Sequence, residues 1–259
     1  MPAAGRTFPF LEHDGPIAFA HRGGAADGLE NSMVAFQRAV DLGYRYLETD
    51  VHATADGVLL AFHDDTLDRV TDRTGRVARL PWATVGHARI GGVEPIPLLE
   101  DLLGSWPDVR VNVDVKQRSA VAPLARALRR TGAVDRVCVA SFSTSRLSAA
   151  RAAVGPELCT ALATRGVARL RAAAVHPVVH RLAPRGVPCA QVPDRVGRLR
   201  VVTPGLVAAA HARGQQVHVW TVDEAADMHR LLDLGADGLM TDQLVTLRDV
   251  LRSRGQWGS

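Results

Sequence analysis

Short runs rich in valine and other apolar residues are separated along this chain by stretches in which alanine and leucine recur among arginines. The runs fall near 17–21 (IAFAH), 46–51 (YLETDV), 110–115 (RVNVDV), 136–141 (RVCVAS), 158–162 (LCTAL), 188–192 (PCAQV), 216–221 (QVHVWT) and 237–241 (DGLMT). The stretches predict helices near 32–43, 119–131, 144–153, 165–174, 204–213, 223–234 and 243–253. Strands alternating with helices build a parallel sheet, because each helix returns the chain to the edge where the next strand starts. Eight such strands in 259 residues match a closed barrel better than an open sheet. The expected fold is therefore α/β, a TIM-like (β/α)8 barrel forming one domain over residues 1–259.

Three segments break the rhythm. Residues 51–63 leave no room for a helix between two strands, and TADG at 54–57 offers an Asp-Gly turn, so they predict a hairpin rising from the end of the second strand. Such a hairpin returns His63 to that strand's C-terminal end. Residues 64–100, rich in turn formers, read as an insertion on the barrel, too small to hold a core of its own. The stretch HPVVHRLAPRGVP at 176–188 carries three prolines and no clear period.

Composition narrows the function. Hydrophobic residues make up 47% and charged residues 22%, which excludes general disorder. No run approaches the ~20 apolar residues of a membrane span. The opening MPAAGRTFPFLEHDGP has no apolar stretch and carries Glu12 and Asp14, so no secretory signal is expected. The formal charge of +4 comes without a block of like charge, which argues against a nucleic-acid arm. Cys138, Cys159 and Cys189 lie far apart with no CxxC or Cys/His spacing; Cys138 and Cys159, in the apolar runs RVCVAS and ELCTAL, are expected as buried thiols, and a reducing cytoplasm fits. Lys116 is the only lysine, and Asn31 and Asn112 the only asparagines. Residue types this scarce mark positions where a site could require them.

Side chains alternate faces along a strand. In YLETDV, Glu48 and Asp50 share one face; in RVNVDVK, Asn112, Asp114 and Lys116 share one face while Val111, Val113 and Val115 take the other. Helices cover a barrel's apolar exterior, so both polar sets point inward, where charges need partners or a metal. Either strand alone reads equally well as surface charge. The same pattern on two strands favours a site, with Glu48, Asp50 and Asp114 as oxygen donors for Mg²⁺ or Ca²⁺. His21, in AHRGG, ends the first strand at the same rim that His63 reaches. The pair suits acid/base work on a phosphate, with Arg22 and Lys116 as positive charges for it. Asn31-Ser32 predicts an N-cap. His13, His52, His87, His176, His180, His211, His218 and His229 show no ligand spacing and are assigned to structure or surface.

AHRGG with ENSMVAF, ETDVHATADGVLLAFHD, LDRVTDRTG, IPLLE, VNVDVK, SF and VHVWTVDE with GADGLMTD together resemble the glycerophosphodiester phosphodiesterase family, in the family's order over residues 17–242. The resemblance implies a small-molecule substrate, with hydrolysis of glycerophosphodiesters to glycerol 3-phosphate and an alcohol. It implies one divalent cation on Glu48, Asp50 and Asp114, His21 and His63 as the acid/base pair, and Arg22 and Lys116 on the phosphate. Phe142 and Trp220 match aromatic positions near the substrate. Two departures stand out: Asp114 replaces a common Glu, as in the related sphingomyelinase D enzymes, and Asp223 replaces a common Asn beside the WTV element. Two other readings stand beside it: a lysophospholipase D or sphingomyelinase-D-like enzyme with the same site and a lipid substrate, and a non-catalytic barrel that binds phosphate esters, against which the intact His21, His63 and three carboxylates argue. The roles of Glu30 and Asp223 are left unassigned.

Overall fold

A computed structural model of the chain describes residues 7–25, 28–175 and 185–258. The strands of the barrel and its hairpin are β1 (Ile17–Ala20), β2 (Tyr46–Ala53), β3 (Leu59–Ala61), β4 (Arg110–Val115), β5 (Val137–Ala140), β6 (Cys159–Thr160), β7 (Cys189–Pro193), β8 (Gln216–Trp220) and β9 (Gly238–Thr241). The helices around the barrel are α1 (Met33–Asp41), α2 (Leu99–Ser105), α3 (Val121–Thr131), α4 (Thr144–Val154), α5 (Thr164–Ala173), α6 (Pro204–His211), α7 (Ala225–Asp233) and α8 (Leu244–Ser253), and one further turn of helix, Trp82–Val85, lies between β3 and α2.

Parallel pairing runs β6-β5-β4-β2-β1-β9-β8-β7. The two ends meet through one bridge, Ala161 to Cys189, supported by the Leu162 N–H donating to the Cys189 carbonyl at 2.9 Å. Eight parallel strands thus form a nearly closed TIM-like barrel whose seam lies between β6 and β7. The expected strand over 158–162 contracts to two residues, because the chain is drawn across to the seam after Thr160. The expected irregular stretch 176–188 lies mostly outside the described residues, and so do His176 and His180.

Alternation along the strands sorts the barrel into shell and lumen. Val111, Val113 and Val115 of β4 join Leu47 and Val51 of β2 in the large core under the helices. The lumen's lower part is filled by Phe19, Tyr46, Cys138, Cys159, Cys189 and Met240, and Phe10 plugs it from the turn Pro9–Leu11. The Tyr46 hydroxyl donates to the Phe10 carbonyl at 2.9 Å and fixes the plug. Polar residues are left for the opposite, C-terminal end. Side-chain oxygens start the helices that follow the strands: Ser32 caps α1, Ser143 caps α4 and Thr203 caps α6.

The hairpin forms as expected, with Val51, His52 and Ala53 opposite Ala61, Leu60 and Leu59. The segment after it differs from expectation. Leu67, Val77, Val85, Ala88, Ile90 and Ile96 bury a core of their own, completed by Leu60 and Phe62 of the hairpin. Borrowing from the hairpin removes the size limit that argued against such a core. The barrel helix α2 also begins inside 64–100, at Leu99. It has seven residues and follows Pro95 and Pro97, too short a stretch for its period to show.

Candidate active site

A cavity of about 410 Å³ opens at the C-terminal ends of the strands. His21, Arg22, Glu48, Asp50, His63, Asp114, Lys116, Phe142 and Trp220 all line it. Glu48 and Asp50 on β2 stand beside Asn112 and Asp114 on β4, in register across one parallel ladder.

His21 and Arg22 form a tight turn after β1, in which Arg22 takes a left-handed backbone with φ of 51°. Gly23 follows at φ of 80°, and a Cβ there would meet Phe36 and the α1 backbone at 2.9 Å. The turn therefore needs glycine, both for its conformation and for its contact with α1. The Arg22 backbone N–H donates to Glu48 at 3.2 Å, while its guanidinium donates to Glu30 at 3.0 Å and pairs with Asp50 at 3.1 Å. His21 Nδ1 meets Asp242 at 2.8 Å, and its Nε2 lies 3.8 Å from Glu48. Burial alone would lower the His21 pKa. The Asp242 hydrogen bond and the charges of Glu48 and Asp242 outweigh it, and the ring is held above its ordinary value.

The carboxylates are deeply placed. Glu48 is pushed up to about 7, first by burial and then by the neighbouring Asp50 charge. Burial would raise Asp50 as well, but Lys116 and Arg22 hold it below its usual value. Lys116 Nζ sits 2.8 Å from Asp50 and 2.8 Å from Asp114, bridging the two. Asp114 Oδ1 is buried with no hydrogen-bond partner. Three carboxylates thus face two cations, one of them shared with Glu30. Glu48, Asp50 and Asp114 line one cavity with oxygen donors that could hold a hard cation.

The second histidine is built differently. His52, buried on β2, donates from Nε2 to the His63 carbonyl at 2.9 Å and fixes the end of the hairpin. His63 Nδ1 meets Asp64 at 2.5 Å. Arg69 of the insertion grips Asp64 at 2.6 Å and Glu30 through both terminal nitrogens, at 2.9 and 2.7 Å. Those Arg69 hydrogen bonds hold Asp64 down at about 2. Glu30 is likewise held low, its burial outweighed by Arg69 and Arg22.

Several supporting residues take roles that the sequence does not assign. The N-cap expected at Asn31-Ser32 forms at Ser32; buried Asn31 sits at φ of 58° and donates to Asp50 at 3.4 Å while accepting from Thr49 at 2.7 Å. Asp223 accepts from the Asp242 N–H at 2.8 Å and from Thr241 at 2.9 Å, so it anchors the carboxylate behind His21. Scarcity pointed toward Asn31, and GADGLMTD contained Asp242. Nothing in the spacing of Asp64 and Arg69 reveals that one grips the other.

The other side of the cavity is apolar. Leu162, Val167, Val201 and Met240 line it with Phe142 and Trp220. Phe142 meets Trp220 edge to face at 5.9 Å and lies 6.0 Å from the Lys116 ammonium.

Residues 21–246 match the model of the glycerophosphoryl diester phosphodiesterase family. The chain belongs to that family. The "probable glycerophosphodiester phosphodiesterase 2" of Mycobacterium tuberculosis is 44% identical over 256 residues, 97% of this chain and 96% of that protein. Among solved structures, a Silicibacter pomeroyi protein assigned to the same class superposes with a TM-score of 0.81 at 22% identity, over 98% of this chain and 100% of that one. An Oleispira antarctica phosphodiesterase in complex with its product, sn-glycerol-3-phosphate, gives a TM-score of 0.77 at 21% identity, over 92% and 97%. These structures share the fold; the family match and the close relative make this barrel a phosphoric diester hydrolase. Among its described residues, no helix is long and apolar enough to cross a membrane.

Proposed function

We propose that this family member is a cation-dependent phosphodiesterase that cleaves glycerophosphodiesters to glycerol 3-phosphate and an alcohol. The observation that carries the reading is the pair of histidines at one cavity, each with Nδ1 held by a carboxylate, which leaves Nε2 for proton transfer. One takes the proton of the substrate's glycerol 2-hydroxyl as that oxygen attacks phosphorus. The other protonates the leaving alcohol, and water opens the resulting cyclic phosphate with the roles reversed. Arg22 and Lys116 supply positive charge toward the phosphate oxygens.

The residues present fit a hard cation. The donors are all oxygens, Asp114 Oδ1 is buried without a partner, and Glu48 is held up by burial and by the charge of Asp50 beside it. Bound to Glu48, Asp50 and Asp114, Mg²⁺ or Ca²⁺ would polarise a phosphoryl oxygen. The three free thiols suit a reducing compartment, and we assign the enzyme to the cytoplasm.

The apolar wall favours a second reading, a lysophospholipase D, because a small polar head group leaves Leu162, Val167 and Val201 without a partner. Assay of glycerophosphocholine and lysophosphatidylcholine with metal-stripped and Mg²⁺- or Ca²⁺-reconstituted protein separates the readings. Glycerol 3-phosphate from the first substrate, only with metal, is the expected result. Full turnover without metal removes the cation. Preference for the lysolipid establishes the second reading, and no turnover of either leaves a binding barrel.

A further inference from the structure

The chain's cysteines lie 21 and 30 positions apart (138 to 159, 159 to 189), without ligand spacing, yet the fold gathers all three at one point. Cys138, Cys159 and Cys189 occupy consecutive strands β5, β6 and β7 and are fully buried in the lumen. Their sulfurs all lie within 4.8 Å of one another, and Cys138 and Cys189 are 3.9 Å apart. Three thiolates around one metal at ~2.3 Å from each sulfur need sulfur separations of about 3.8–4.0 Å. The cluster is therefore close to the required geometry before any ion enters.

Position adds a second argument. Cys159 and Cys189 stand on opposite sides of the seam, where β6 has only two residues and one bridge closes the barrel. Two residues further along the same faces are Ala140, Ala161 and Gln191, which line the floor of the active-site cavity. The thiols thus form the layer directly beneath that floor, and two of the three residues above them are alanines. Beside β7, on β8, His218 is fully buried with Nδ1 unpartnered, while its Nε2 is occupied by Gln216 at 3.0 Å.

We propose that Cys138, Cys159 and Cys189 form a binding site for a soft, thiophilic cation, of the Zn²⁺, Cd²⁺ or Cu⁺ kind, that clasps the barrel's seam. Thiolates select such ions over Mg²⁺ and Ca²⁺, so this site and the carboxylate site would not compete for the same metal. Binding a dication converts three thiols to thiolates and releases three protons to solvent. Because the ligands come together only in the folded barrel, binding stabilises it.

The test uses the full chain, reduced, in excess Mg²⁺ to keep the carboxylates occupied, and titrated with Cd²⁺. The expected result is one Cd²⁺ per chain with a thiolate-to-metal charge-transfer band, a raised Tm, and protection of all three thiols from alkylation. Cys138→Ala, Cys159→Ala and Cys189→Ala should each weaken binding at least tenfold. Because the thiols are buried, the titration is repeated on protein refolded with Cd²⁺ present. Lack of the band in both preparations overturns the proposal, as does a folded Cys159→Ala protein that binds like wild type. If the variants do not fold, the alkylation pattern of the wild type decides: a thiol left unprotected by Cd²⁺ is not a ligand.

Discussion

The two walls of the cavity are built on opposite principles. The wall from β1, β2 and β4 is held by charge: His21, Arg22, Glu48, Asp50, Asp114 and Lys116 fix one another through ion pairs and hydrogen bonds. The wall from β5 to β8 is held by shape, with Trp220 and Phe142 in ring contact over small aliphatic side chains. Charge needs many partners to be buried, so one change on the first wall disturbs several groups. A change on the second removes contacts and little else. The contrast suggests that chemistry belongs to the first wall and substrate choice to the second.

The sharpest challenge is to the histidines. His21→Ala and His63→Ala should each lower kcat by roughly 10²–10⁴ with little change in Tm, since both stand at the rim. Near-wild-type turnover by either variant would free that histidine from the charged wall's chemistry. Next comes Asp242→Asn, expected to lower kcat by roughly 10–100-fold, the range for a residue that orients a reacting group. KM should change little, a split that simple loosening of the fold would not produce.

The apolar wall should respond in the opposite sense. Trp220→Ala is expected to lower kcat/KM for a lysophospholipid about tenfold, about 1.4 kcal/mol, and for glycerophosphocholine by less. Equal losses on both substrates would remove the division between the walls. The smallest effect concerns Asp64, whose carboxyl is held at about 2 by Arg69. A depressed carboxyl stabilises the fold above its unfolded pKa of about 4 and loses that contribution as pH falls toward 2. Asp64→Asn should therefore lower Tm at neutral pH, and the gap to wild type should narrow below about pH 4. A gap unchanged with pH would show that Arg69 does not stabilise the ionised form.

The same division explains what could be read in advance. Glu48, Asp50, Asp114 and Lys116 announce themselves because charge on the inward positions of a barrel strand has few explanations. The hairpin to His63 is legible because residues 51–63 exclude a helix. Asp64, Arg69 and Glu30 are ordinary surface residue types, and their link exists only once the insertion folds back on the barrel. The insertion's core escaped notice because Leu60 and Phe62 belong to the hairpin in sequence and to the insertion in space. The cysteines show the same limit: spacing along the chain says nothing about three strands meeting around a lumen.

Arg69 is half exposed, yet one guanidinium ties the insertion to Glu30, which also holds Arg22, and to Asp64, which holds His63. The appendage and both ends of the reaction centre therefore share one fastening. Exchange of this segment between barrels of the family is thus not a neutral graft. A transplanted loop without a guanidinium at this place would leave a fold intact to the eye, but Asp64 and Glu30, the carboxylates that hold His63 and Arg22, would lose their shared partner.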